Sequence, residues 1–108
     1  MRREDVFAML GSTGLPVTYR KWSPAKPPPL PYIVYYFVDG NDLMADDENY
    51  IGVRRWCAEL YSESKDDGNE KKIEQALKQH KKPYAYQEIG NIEDGPFEAV
   101  FYFTTIGG

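Results

Sequence analysis

The chain has 108 residues, of which 42% are hydrophobic and 15% aromatic, enough apolar material for one core but too short a chain for two. A formal net charge of −4 excludes a general electrostatic attraction to nucleic acid or to an anionic membrane surface. A single cysteine, Cys57, excludes an internal disulfide and fits a reducing compartment.

Residues 3–10 read as a short helix, with Val6, Phe7 and Leu10 on one face and Gly11 placed to end it. Gly14 and Pro16 turn the chain into residues 17–22, VTYRKW, a strand by its β-branched and aromatic content. Residues 23–31, SPAKPPPLP, are extended and polyproline-like, because consecutive prolines fix φ and remove donors. The strongest strand signal follows at residues 32–38. Tyr32, Val34, Tyr36 and Val38 alternate there with Ile33, Tyr35 and Phe37, so both faces are apolar. Such a strand needs cover on two sides, and a neighbouring subunit is one source of the second cover.

Residues 39–49, DGNDLMADDEN, read as an acidic loop, and residues 50–61 as the returning arm of an antiparallel hairpin. In that arm Trp56, Ala58 and Leu60 share one face, while Val53, Arg55, Cys57, Glu59 and Tyr61 share the other. A polar loop over 62–69 leads to a second helix over 70–81, marked by Ile73, Ala76, Leu77 and His80 at helical spacing. Asp67 and Glu70 have capping-box spacing, Lys78, Lys81 and Lys82 suit the negative helix end, and Pro83 stops it. Residues 84–89 and 98–106 complete the chain as strands around a turn with Gly90, Asp94, Gly95 and Pro96. The expected order is α-β-β-β-α-β-β. That is an α+β fold in a single domain over residues 1–108, a mainly antiparallel sheet flanked by two helices. The apolar stretch near the N-terminus is too short for a signal peptide, and no apolar run reaches the roughly 18 residues a membrane span needs. A soluble intracellular protein is the expectation.

Catalytic signals are few. His80 is the only histidine and reads as a partly buried helix-terminal residue; Cys57, mid-strand beside Trp56, reads as a packing residue. One His and one Cys exclude a zinc site of nitrogen and sulfur ligands within one chain. A calcium loop starting at Asp39 fails, since Leu43, Met44 and Tyr50 stand where oxygen ligands and glycine are required. Arg20, Lys21 and Lys26, with Tyr19 and Trp22, form a basic-aromatic cluster that suits phosphates, yet strand packing with a charged edge accounts for it equally. Pro28–Pro31 has the character of a ligand for a proline-binding module, but leads straight into the main strand. Carboxylates are numerous and none is set apart by spacing. The expectation is a protein without enzymatic activity, without cofactor or metal, and without specific nucleic-acid binding.

Three stretches, STGLPVTYRKW, PPPLPYIVYY and RRWCAELYSESKDD, together resemble small structural proteins of the head-to-tail joining gene cluster of siphophages and prophages of Gram-positive bacteria. The likeness is to the tail-completion, or tail-terminator, group and spans roughly residues 3–82. It implies a ring, typically of six subunits, that ends tail-tube polymerisation and docks to the neck of the capsid. Tail-tube and neck proteins are the implied partners. The implied locations are the host cytoplasm during assembly and the virion head–tail junction. A head-closure or neck adaptor protein, or a non-enzymatic protein-binding module, are the alternatives. The residues add candidate assembly contacts: Tyr32, Tyr35 and Tyr36 in the aromatic strand, and Leu43 and Met44 as the apolar anchors of an acidic loop expected to order on assembly. Asp66, Asp67 and Glu70, with that loop, are the expected source of negative charge towards a DNA channel.

Overall fold

Alternating aromatic and β-branched residues carry the main strand past the point where its composition turns polar. The computed structural model describes residues 1–22, 26–46 and 49–106, and for residues 41–46 and 49–51 the backbone alone. Its elements are α1 (Arg3–Gly11), β1 (Val17–Tyr19), β2 (Tyr32–Asp46), β3 (Asn49–Ser62), α2 (Asp67–Gln79), β4 (Tyr84–Asn91) and β5 (Phe97–Ile106), the order read from the sequence. The five strands form one mixed sheet in the order β1-β2-β3-β5-β4. Only β1 and β2 pair in parallel, Val17 beside Ile33 and Tyr19 beside Tyr35. A parallel pair requires a crossover, and here the proline-rich segment provides it in place of a helix.

Both helices lie on one side of the sheet. Val6, Met9 and Leu10 of α1 and Ile73, Ala76 and Leu77 of α2 join a single cluster with Ile33, Tyr35, Trp56, Ala58, Leu60, Phe101 and Phe103. Those strand residues sit at alternate positions and in register. Phe37, Trp56, Phe103 and Tyr84 form one cross-strand row, and Tyr35, Ala58, Phe101 and Tyr86 the next. At roughly 1.5–3 kcal/mol for each large apolar side chain buried, this layer supplies most of the driving force for folding. The single polar atom Trp56 brings into it is satisfied, because its Nε1 donates to Thr105 Oγ1 at 3.0 Å.

The structure departs from the sequence reading in several places. The acidic segment 39–49 is not a loop. Its backbone continues the β2–β3 ladder from Asp39 opposite Arg55 to Asp46 opposite Asn49, and residues 47 and 48 lie outside the described residues. The ladder is made by backbone groups, so polar composition does not prevent it. Among the described residues, the part of β3 before Val53 pairs with β2 alone, forming a two-stranded arm. The register skips one residue at Val38, a bulge that leaves it without a cross-strand partner. Gly40 allows a close approach nearby, since a Cβ there would meet the Val53 carbonyl at 2.9 Å.

The strand expected over 17–22 ends at Tyr19, because Arg20 takes a left-handed backbone with φ +66°. In α1 the inward face is Val6, Met9 and Leu10, and Phe7 is 48% exposed. Helix α2 starts earlier than expected. Asp66 is its N-cap, accepting from the Asn69 backbone N–H at 3.1 Å, while Glu70 is drawn to Lys65 rather than into a capping box with Asp67. His80 is the exposed C-cap residue of α2, its Nδ1 2.9 Å from the Ala76 carbonyl oxygen, and not part of the buried stripe. Among the described residues no helix is long and apolar enough to cross a membrane.

Candidate interaction face

The side of the sheet away from the helices carries the other half of the alternation. Its rows are Tyr32, Tyr61 and Glu98; Val34, Glu59, Val100 and Gln87; and Tyr36, Cys57, Tyr102 and Ala85. The small residues in the middle are covered by the large ones around them. Cys57 is wholly buried, and Val34 and Val100 are buried with it, whereas Tyr102 is 36% exposed. The Tyr32 and Tyr61 rings meet with centroids 5.5 Å apart, and Trp22 packs edge-on against Tyr32, also at 5.5 Å. The crossover thereby reaches this face. Trp22 and Pro27 line a shallow cavity of about 370 Å³ together with Tyr32, Val34, Glu59 and Tyr61.

At the centre lies a pair of carboxyl groups. Glu59 on β3 and Glu98 on β5 are brought together because Tyr61 opposes Glu98 and Glu59 opposes Val100. Burial, reinforced by a hydrogen bond with Glu98 and by its charge, pushes the Glu59 carboxyl up to about 8, so Glu59 is largely protonated near neutrality. Burial pushes the Cys57 thiol up to about 11. The Tyr61 phenol is raised by burial and by the two acids, and the Tyr36 phenol first by its hydrogen bond with Cys57. Phenols and thiol are therefore neutral hydrogen-bonding groups at physiological pH, and Glu59 is the group that titrates. The face offers ring surfaces, hydroxyls and a partly shielded acid. Among the described residues no three His, Cys, Asp or Glu side chains are grouped to hold a metal ion.

The expected contact residues separate. Tyr32 and Tyr36 lie on this face, each partly exposed. Tyr35 does not. It is 2% exposed in the core beneath α1, with its hydroxyl donating to the Arg3 carbonyl at 3.3 Å, so it presents no contact surface. Leu43 and Met44 have their backbones in the ladder opposite Ile51 and Tyr50, and their side chains lie outside the described residues. The basic-aromatic cluster is partly absorbed by packing: Arg20 lies 5.5 Å from the Tyr19 ring and 5.6 Å from the Tyr36 ring, and donates to the Phe37 carbonyl at 3.2 Å. Glu70 is 5% exposed and held by Lys65 at 2.6 Å, so it supplies no free charge to a channel. Tyr61, Tyr102, Glu59 and Glu98 complete the face and were not singled out from the sequence. The alternation in 50–61 marks the first and third of them, whereas Glu98 joins only through strand register. A comparison with protein-family models and with curated sequences returns no match for this chain.

Proposed function

We propose that this chain is a phage or prophage structural protein of the tail-completion type, without catalytic activity. In this reading its copies form a ring, six in number, that caps the tail tube and joins it to the neck. One observation carries the reading: the uncovered tyrosine face lies beside a two-stranded arm that reaches out of the sheet, two surfaces that one small subunit does not use for its own core. The resemblance of three sequence stretches to the tail-completion group supplies the particular assembly, and the net charge of −4 per subunit suits a channel that DNA crosses without adhering.

The test is electron microscopy of the purified chain with tail-tube protein. Rings, or caps at tube ends, are expected for the wild type. Tyr36→Asp and Tyr102→Asp should abolish them while leaving the circular-dichroism spectrum and cooperative unfolding intact. Wild-type protein that never associates with tubes, under conditions where the tubes themselves form, refutes the reading.

A further inference from the structure

We propose that a cavity on the helix side of the sheet binds a phosphomonoester, held by the guanidinium groups of Arg3 and Arg54. The site is separate from the tyrosine face and does not depend on the ring reading. Its volume is about 350 Å³, and residues of four elements line it. The start of α1 brings Arg3 and Glu4, with Arg2 as N-cap, while β1 brings Tyr19, β2 Phe37, and β3 both Arg54 and Trp56. Two of the guanidiniums lie against rings. Arg3 stands 4.9 Å from the centroid of Tyr19, and Arg54 5.9 Å from that of Phe37. The core fixes those rings in turn: Tyr19 meets Tyr35 edge-on at 5.1 Å, and Phe37 meets Trp56 edge-on at 5.6 Å.

A guanidinium that rests its face on a ring keeps its N–H edge for hydrogen bonding, and that fork matches the oxygens of a phosphate or a carboxylate. Charge chooses between the two. The side chains lining the cavity include three arginines and one acid, Glu4, a surplus of two positive charges on a chain whose net charge is −4. None of the three arginines enters a salt bridge among the described residues. Asp5, the next acid along α1, is engaged by its own helix, its carboxylate accepting from the Arg2 backbone N–H at 2.8 Å. A carboxylate or an internal phosphodiester brings one negative charge. A phosphomonoester brings about −1.5 to −2 at pH 7, with three terminal oxygens for two forks. The volume lies within the roughly 300–1,000 Å³ of small-ligand sites, which leaves room for an organic body beside the phosphate.

A phosphomonoester can come from a free small molecule or from the 5′ end of a nucleic-acid strand, and calorimetric titration of the full chain in phosphate-free, low-salt buffer separates the two. AMP should bind about tenfold or more tightly than adenosine, and likewise than 3′,5′-cyclic AMP, which keeps base and sugar but carries a monoanionic diester. Arg3→Met and Arg54→Met should each weaken AMP binding by about tenfold or more while the unfolding midpoint stays near wild type. Arg54→Lys keeps the charge without the fork and should recover only part of the loss. Lys71→Met, on the exposed side of α2, should change nothing. A 5′-phosphorylated oligonucleotide that outbinds AMP, and stops doing so once its 5′-phosphate is removed, sustains the site and assigns it to a strand end. AMP that binds as tightly as that strand sustains it as a small-ligand site. Adenosine or cyclic AMP binding as tightly as AMP, AMP affinity unmoved in the double variant R3M/R54M, or absence of binding by both AMP and the phosphorylated strand overturns the proposal.

Discussion

The indole Nε1 of Trp56 donates to Thr105 Oγ1 at 3.0 Å, joining β3 to β5 through a bond withdrawn from solvent. Thr105 is wholly buried and Trp56 nearly so. Thr105→Val keeps the shape and removes the acceptor. The expected loss is about 1–3 kcal/mol, the cost of an unpaired buried donor. Thr105→Ser should lose less, and urea unfolding monitored by tryptophan fluorescence compares the two. Equal stability of Thr105→Val and wild type would show that the bond contributes nothing.

Lys65 binds Glu70 through both carboxylate oxygens, at 2.6 and 2.7 Å, and also lies 3.0 Å from the Tyr86 hydroxyl. Lys65→Met leaves a 5% exposed carboxylate with Tyr86 as its remaining partner at 2.7 Å. Since the lysine side chain is 39% exposed, the cost is discounted to about 1–2 kcal/mol from the 3–5 of a fully buried pair. Adding Glu70→Gln should recover much of it, and a double-mutant cycle by thermal unfolding measures the coupling.

Glu59 sets a pH dependence of the opposite sign from an ordinary ion-paired carboxylate. Its carboxyl titrates at about 8 folded against 4.5 as the reference, so between these values the native state binds more protons than the unfolded one. Stability is then full below about pH 4.5 and falls as pH rises towards 8. The groups facing it are Glu98, Tyr61 and Cys57, with Arg20 and Lys21 on the rim of the adjoining cavity. Urea midpoints between pH 5 and 8.5 should decline in the wild type, and Glu59→Gln should flatten the profile. A wild-type midpoint that climbs over this range contradicts the paired-acid geometry.

Cys57 combines complete burial with a thiol raised to about 11, so almost no thiolate exists at neutral pH. Reaction with a disulfide reagent should follow global unfolding, and fast stoichiometric labelling of the native protein at pH 7.5 would place the thiol at the surface. Cys57→Ala should leave assembly intact and cost stability through the lost packing around Val34 and Val100.

Local composition made the element order legible, and for a physical reason: unbroken aromatic and β-branched runs at 32–38 and 100–106 have little alternative to a sheet. The alternation of Trp56, Ala58 and Leu60 with Cys57, Glu59 and Tyr61 even assigned the two faces of β3. What composition could not carry was pairing over distance. The polar segment 39–46 belongs to β2 because its backbone finds β3. Tyr35 and Tyr36 look alike in sequence, yet one falls beneath α1 and the other on the open face, a distinction set by where the helices dock. Glu59 and Glu98 lie far apart in the chain, and only register makes them neighbours.

The unpaired Val38 sets the phase of β2 from Asp39 to Met44, where a second register shift follows. Up to Phe37 the odd-numbered residues of β2 face the helices; past the skip, Asp39 aligns with Arg55, and its carboxylate is held there at 2.8 Å on the side of the tyrosines. Were Val38 instead paired in a regular, unbulged ladder, the charge of Asp39 would turn to the side of Trp56 and Phe37, whose rings stand 5.6 Å apart. A further one-residue insertion would roll the arm half a turn about its axis, whereas deletion of Val38 would restore regular pairing with Asp39 still opposite Arg55. The roll of the arm against its sheet, from Asp39 to Met44, is thus indexed by a single valine.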